Sequence, residues 1–439
     1  MKKIFFLILV VLASSSFGQS LEHISERLFL QRSGFIENYE IRQQLRHVIE
    51  ATSFEAVDMP ARLYRQATSG TNVELSVRRE SESFNVIFAN QLFSELATGF
   101  RAYNRGNYVF RKHITTGRLE NIRIFLQSGA GSFIDVRPGT DGRSVMDVFL
   151  FNTPIYRNIP VPLGINVVAL SPFARLIAVT NNNIDWRAII NDGGNAEQMR
   201  VAAMSAAIRP FLAELAARDT EDGAQNSAGN FIFINDGALQ SSRAGGLDGF
   251  NCSGFVKWVA DGLILPLTGR LLDPEILKIQ PPISERAFSP ALNFPERDPF
   301  FGLDWTRNLA HEIRRAQFPQ ARNRLGQSDV NDTPFTAFLR DIGYSLAQLE
   351  LVLYLETIRN PGHFYFGSIN QEFGSNPVLR QHIHTAVFFP YFNEQGEFVI
   401  EMYERNWQTN PDSLRSRYSG AFVFLSRVRA SDNFRLPAI

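Results

Sequence analysis

The chain has 439 residues, and its 44 Lys plus Arg are balanced by 44 Asp plus Glu. That length admits two or three domains, each able to bury a core without staples, and the even charge gives no basic excess to favour nucleic acid or an anionic membrane as the main partner. A single cysteine, Cys252, excludes an internal disulfide and leaves packing, an intermolecular bridge or chemistry as the use of that thiol.

In chain order, Lys2 and Lys3, the apolar stretch Ile4 to Leu12 and the small-x-small site Ser16-Phe17-Gly18 read as a signal peptide over residues 1–18, cleaved near Gly18. The expected protein is exported, periplasmic or extracellular, and without a cysteine at the cleavage point it is not lipidated. No later segment approaches the roughly 20 apolar residues a membrane helix needs, so no stable membrane insertion is expected. A helical stretch should follow, and then a run of strands from Asn107. Asn107 to Ile114 and Leu119 to Gln127 flank Thr115-Thr116-Gly117-Arg118, a hairpin with its glycine in the turn. Phe133 to Val136 and Val145 to Phe151 read as further strands. Residues 19–194 thus form a mixed, mainly β domain, a targeting or substrate-positioning unit in the simplest reading.

Composition shifts at Asn195, where an Ala-rich helix to Arg218 is bent or restarted at Pro210. Asp219 to Asn230 is a loop and Phe231 to Ile234 a short apolar run. From about 265 to 330, Pro281-Pro282, Pro290, Pro295 and Pro299 break regular structure, which reads as an ordered insertion with one helix near Thr306 to Ala316. Ser345-Leu346-Ala347-Gln348 is a capping box for a helix ending near Arg359, before Pro361-Gly362. His363 to Ile369, His382 to Phe392, Glu397 to Glu404 and Ala421 to Arg427 read as strands.

The segment that carries chemistry is Gly245-Gly246-Leu247-Asp248-Gly249-Phe250-Asn251-Cys252-Ser253-Gly254-Phe255-Val256. Asn251 is a preferred N-cap, and an apolar helix is expected from there up to Gly262. Cys252 then lies in the first turn. There the unpaired N–H groups and the positive end of the helix dipole favour thiolate over thiol and can stabilise an oxyanion.

This phrase resembles the NlpC-type cell-wall peptidases of the papain-like superfamily, whose nucleophile lies in a sequence like Asp-Cys-Ser-Gly-Phe-Val after a Gly-Gly. Here Asn251 stands in place of the aspartate. Phe231 and Phe233 are the nearest aromatics where the family has a tyrosine. The resemblance implies an α+β fold: a papain-like domain over 195–439, its N-terminal helices packed on an antiparallel sheet, preceded by the mainly β domain.

A thiolate needs a proton partner, and histidine suits it. Of the seven histidines, His23, His47, His113 and His311 read as surface or packing residues, and His311-Glu312 lacks the second histidine of a zinc helix. That leaves His363, His382 and His384. Gly362-His363-Phe364-Tyr365-Phe366 and His384-Thr385-Ala386-Val387-Phe388 resemble the two strands that carry the family's base. This makes His384 the implied base, with His363 at the family's aspartate position. His382 lies two residues away, on the same face by strict alternation. A metal pair of His382 and His384 has no third ligand in the sequence, so neither metal nor cofactor is expected.

The imidazole also needs an orienting group. Asn393-Glu394-Gln395-Gly396 suits a hairpin loop pairing Asn393 with Glu397. Counting outward sets Ala386 opposite Glu404 and His384 opposite Asn406. Glu404 is the first choice and Asn406 the next, while a bulge would promote Glu401.

Residue chemistry supports thiol-dependent acyl transfer. The resemblance implies a cysteine peptidase that cleaves amide bonds in peptidoglycan stem peptides. The rivals are an amidase or acyltransferase of the same fold acting on another acyl substrate, and a non-catalytic cell-wall binding protein.

Overall fold

The computed structural model describes residues 25–93, 98–101, 103–193, 196–243, 248–280, 298–374 and 378–439. The signal segment, Gly245-Gly246, and the prolines at 281, 282, 290 and 295 lie outside the described residues. The protein is a mixed α+β chain with antiparallel sheets. It divides into two units, Met1–Gly194 with Glu394–Glu397, and Asn195–Asn393 with Phe398–Ile439.

In the first unit, α1 (25–32), α2 (Tyr39–Gln44) and α3 (Arg46–Ile49) precede nine strands. These are β1 (Arg62–Arg65), β2 (Asn72–Arg79), β3 (Ser83–Phe93), β4 (Thr98–Phe100), β5 (Tyr108–His113), β6 (Leu119–Phe125), β7 (Phe133–Pro138), β8 (Ser144–Leu150) and β9 (Thr153–Val161). They form an antiparallel meander in the order β1-β2-β3-β5-β6-β7-β8-β9, with β4 on β3. Helices α4 (Ile165–Ala169) and α5 (Phe173–Thr180) follow. The sheet therefore begins at Arg62 and not at Asn107. Val73 and Leu75 are buried on alternate positions of β2, as are Phe84, Val86 and Phe88 on β3, but Arg78, Arg79 and Glu80 interrupt that period-2 signal between them. Gly117 takes φ +58° in the β5–β6 turn, where a Cβ would lie 2.3 Å from the Ala51 carbonyl oxygen.

In the second unit, α6 (Ala196–Ile208) and α7 (Leu212–Ala217) are separated by a 3-10 turn at Arg209–Phe211, centred on Pro210. A two-stranded ribbon, β10 (Ala224–Gln225) and β11 (Phe231–Ile232), leads to α8 (Cys252–Thr268), α9 (Pro274–Leu277) and α10 (Phe301–Gln317). Next come β12 (Tyr344–Ser345), α11 (Leu349–Arg359), β13 (His363–Phe373), β14 (Leu379–Phe392), β15 (Phe398–Glu404), β16 (Trp407–Thr409), α12 (Pro411–Arg417) and β17 (Phe422–Arg429). The six strands run in the order β12-β17-β13-β14-β15-β16, all antiparallel.

Both faces of this sheet are covered. Phe364, Phe366, Val387, Phe389 and Tyr403 pack with α6, α8 and α10. Tyr365, Ile369, Ala386, Phe388 and Met402 pack with α11 and Leu414 of α12. Burial on both sides explains why the run from Ala386 to Phe389 is continuously apolar instead of alternating.

Three local expectations are corrected. Helix α8 does not stop at Gly262 but runs to Thr268, ending at Gly269 with φ +75°. Gly262 is small because the Phe434 ring lies against it, 2.5 Å from where a Cβ would sit. Pro266 has no N–H for the Gly262 carbonyl, and the Arg435 N–H supplies that bond at 2.9 Å. Helix α10, expected within an insertion, instead puts Trp305, Leu309 and Ile313 into the core beside α8. At Ser345 the side chain accepts from Ala347 N–H and starts a 3-10 turn, so α11 begins only at Leu349. Among the described residues no helix is long and apolar enough to cross a membrane.

Candidate active site

Asn251 caps α8 from an extended conformation, φ −92° and ψ −173°. Its Oδ1 accepts the Gly254 N–H at 2.8 Å, while its Nδ2 donates to the Glu221 carbonyl at 3.3 Å. An aspartate caps equally well but has no N–H for that second bond. Behind the cap, the Asn251 N–H donates to the Gly223 carbonyl at 3.1 Å. That carbonyl oxygen would lie 1.9 Å from a Cβ on Gly254. Gly254 thus lets the 219–223 loop seat against the first turn. Although alanine favours helices by about 1 kcal/mol over glycine, Gly254→Ala should destabilise the protein by about 2 kcal/mol or more through backbone overlap, read as a lower melting temperature.

Cys252 opens the helix and is half-buried. The His384 side chain and Thr385 are the neighbours that act on the ionisation of its thiol. His384 Nε2 lies 2.7 Å from Glu404 Oε2, which leaves Nδ1 as the ring nitrogen not engaged by the carboxylate. The side chain of Glu404 is 1% exposed, and its other oxygen accepts from Arg417 Nη2. Tyr418 stacks on the His384 ring, centroids 5.6 Å apart.

Burial pushes the Cys252 thiol up, yet the neighbouring His384 and its charge, with Thr385, overcome it and bring the thiol down to about 6. Burial alone would lower His384, but its bonds and charge interactions with Cys252 and Glu404 raise it to about 9. Burial likewise works against the Glu404 carboxylate, and His384 and Arg417 outweigh it to hold the group below its usual range. The result is a row of alternating charge: thiolate, imidazolium, carboxylate, guanidinium. Such a row favours the thiolate of Cys252 over the thiol.

Cys252, His384 and Glu404 are therefore brought together. Observed pairs Val387↔Tyr403 and Phe388↔Met402 continue to Ala386 opposite Glu404, the register obtained by counting from the loop, with Gly396 at φ +72°. Asn406 lies in the turn between Glu404 and Trp407. Glu401 is on the other face, held by Ser205, Arg209 and Tyr391.

His382 does not share a face with His384. Ile369 pairs with His384 and its neighbour Asn370 with His382, so Ile383 is the extra residue of a bulge. Adjacent residues point to opposite faces and cross-strand partners share one, which separates the two histidines. His382 is buried, with Nδ1 2.8 Å from Ser368 Oγ and Nε2 3.0 Å from the Asp341 carbonyl oxygen. This removes the His382–His384 metal pair. His363 lies at the far end of β13, bonded to the Asn360 and Pro361 carbonyls at 3.1 and 3.2 Å. Among the described residues no group of three His, Cys, Asp or Glu gathers as a metal site.

Thr385, Arg417 and Tyr418 are functional neighbours that sequence reasoning missed. Arg417 follows Glu404 by 13 residues on a different element, a distance no strand or helix period connects. The only available signal is physical: a buried carboxylate calls for a cation. Glu404→Gln removes the charge behind the ring and should let His384 release its proton at a lower pH, seen as an acid shift in its NMR titration.

A family model described as "Domain of unknown function (DUF8515)" matches residues 31–188, a stretch inside the first unit. No curated protein and no solved structure matches the chain.

Proposed function

We propose that the second unit is a thiol-dependent amide hydrolase of papain-like, NlpC type, acting on peptidoglycan stem peptides outside the cytoplasm. The observation that carries this reading is the row Cys252, His384, Glu404, in which His384 bonds Glu404 and acts on the ionisation of a sulfur at a helix start. The wall substrate rests on the resemblance of the 251–256 phrase, and the exported location on residues 1–18.

Cys252 thiolate attacks the amide carbonyl carbon, forming a C–S bond and a tetrahedral oxyanion. The Cys252 and Ser253 N–H groups, which precede the first i to i−4 bond of α8, are suited to receive that oxyanion. The His384 imidazolium gives its proton to the leaving nitrogen as the C–N bond breaks, which leaves an acyl-thioester and a neutral imidazole. Water, losing a proton to His384, then attacks the thioester. The C–S bond breaks, the carboxylic acid product leaves, and thiolate and imidazolium are restored. Glu404 and Arg417 do not touch substrate in this scheme: they keep the ring oriented and charged.

Purified muropeptides incubated with the protein should release new amino groups. Release from another amide and none from muropeptides would transfer the reading to the same-fold amidase. Fast thiol labelling with no hydrolysis of either would also count against the wall substrate, whereas slow labelling that ignores His384 would favour a non-catalytic wall-binding protein.

A further inference from the structure

We propose that a second site on this unit binds a phosphate-class oxyanion, in a cleft at the opposite end of β13 from the thiol. The cleft has a volume of about 230 Å³. It opens where the last turns of α10 meet the end of β17, the start of β13 and the 327–328 segment. His363, which lines it, pairs with Arg429, whereas Ile369 pairs with His384. Six residues of strand put the two ends about 20 Å apart, so the cleft is separate from the hydrolase site and stands or falls independently of it.

Its lining includes Arg314, Arg427, Arg429, His363, Gln327 and Ser328, and no aspartate or glutamate. The arginines are incompletely neutralised. Arg427 shares the buried Glu356 with Arg359, Thr333 and Asn360. Arg429 reaches Glu197 only at 3.6 Å, between partly exposed groups, a weak pair. Arg314 has no ion pair among the described residues, and its Nε–H is buried without an acceptor. With no ion pair of its own among the described residues, Arg314 leaves positive charge on the cleft wall that an anion there would offset. His363 registers the same field: burial first, and then the charges of Arg427 and Arg429, hold its ring below the usual histidine range.

The chemistry favours phosphate over carboxylate. A carboxylate offers two oxygens in one plane, which one arginine fork satisfies. Here Arg314 comes from a helix and Arg427 and Arg429 from a strand, so donors arrive from more than one direction, as a tetrahedral oxyanion with oxygens on all sides requires.

The test is calorimetric titration of the purified full chain with inorganic phosphate and, separately, glycerol 3-phosphate, against chloride and acetate at matched ionic strength. Saturable binding of either phosphate, with none of acetate, is expected. Binding of the ester alone would identify a phosphomonoester group as the source, and binding of both a free ion. Arg314→Gln should weaken binding about tenfold or more, with melting temperature in chloride and Cys252 labelling unchanged. Should that variant fail to fold, the more exposed Arg429→Gln carries the same expectation. Acetate binding as tight as phosphate, no phosphate binding at millimolar concentration, or affinity unaltered in both variants would overturn the site.

Discussion

Cys252→Ser should reduce muropeptide hydrolysis on the order of 10⁴-fold while the fold is kept. The substitution keeps side-chain shape, the Asn251 cap and the Gly223 contact, so the helix start survives. What disappears is an atom that ionises at about 6 beside an imidazolium. A serine hydroxyl does not ionise there, and without the thiolate His384 also loses one of the two partners that hold it charged. Amine release and melting temperature together read the result. Activity within tenfold of the unaltered protein would mean that the nucleophile is some other group, and the proposed chemistry would be withdrawn.

The second large effect is on reactivity. His384→Gln removes the imidazole and the charge that hold the thiol down, while burial continues to push it up. The midpoint of thiol labelling should therefore move from about 6 to the ordinary thiol value of 9.0 or above. At pH 5 that shift cuts the thiolate fraction by about 10³-fold. Greater basicity makes each thiolate more nucleophilic, with a slope of about 0.4–0.5, which returns about 15- to 30-fold and leaves labelling about 30- to 60-fold slower. The difference should shrink as pH rises and reverse above about 8, where the variant's more basic thiolate becomes the faster to label. The same shifts bound the pair's contribution to stability. The cysteine's share, from a depressed value, is lost as pH falls through about 6, and the histidine's, from a raised value, as pH rises through about 9. A melting temperature that varies with pH identically in the variant would count against the ion pair.

How much of this was readable before coordinates depended on the range of the interactions. The start of α8 is legible because a cap is local: Asn251 and Cys252 are neighbours, and their roles follow from helix geometry. The β14–β15 register is legible because a short loop with a left-handed glycine fixes the pairing, and from it the meeting of His384 and Glu404 follows. The early strands β1 to β4 are hidden by the charges that end β2. The core position of α10 is hidden because proline-rich sequence before it looks like a departure from the fold. The bulge at Ile383 is invisible to any counting rule, since nothing in Gln381-His382-Ile383-His384 marks one residue as extra. Arg417 is set beside Glu404 by tertiary packing alone.

That extra residue has an outcome for how the pH dependence of the proposed hydrolysis should be interpreted. It leaves one imidazole uncharged down to about 3 and its near neighbour charged up to about 9, so neither titrates around neutrality. A rate profile that rises near 6 and falls near 9 would ordinarily be assigned to histidine on the acid side and cysteine on the alkaline side. On the proposed mechanism the assignments would be reversed: the ascending limb would report the sulfur, and the descending limb the ring.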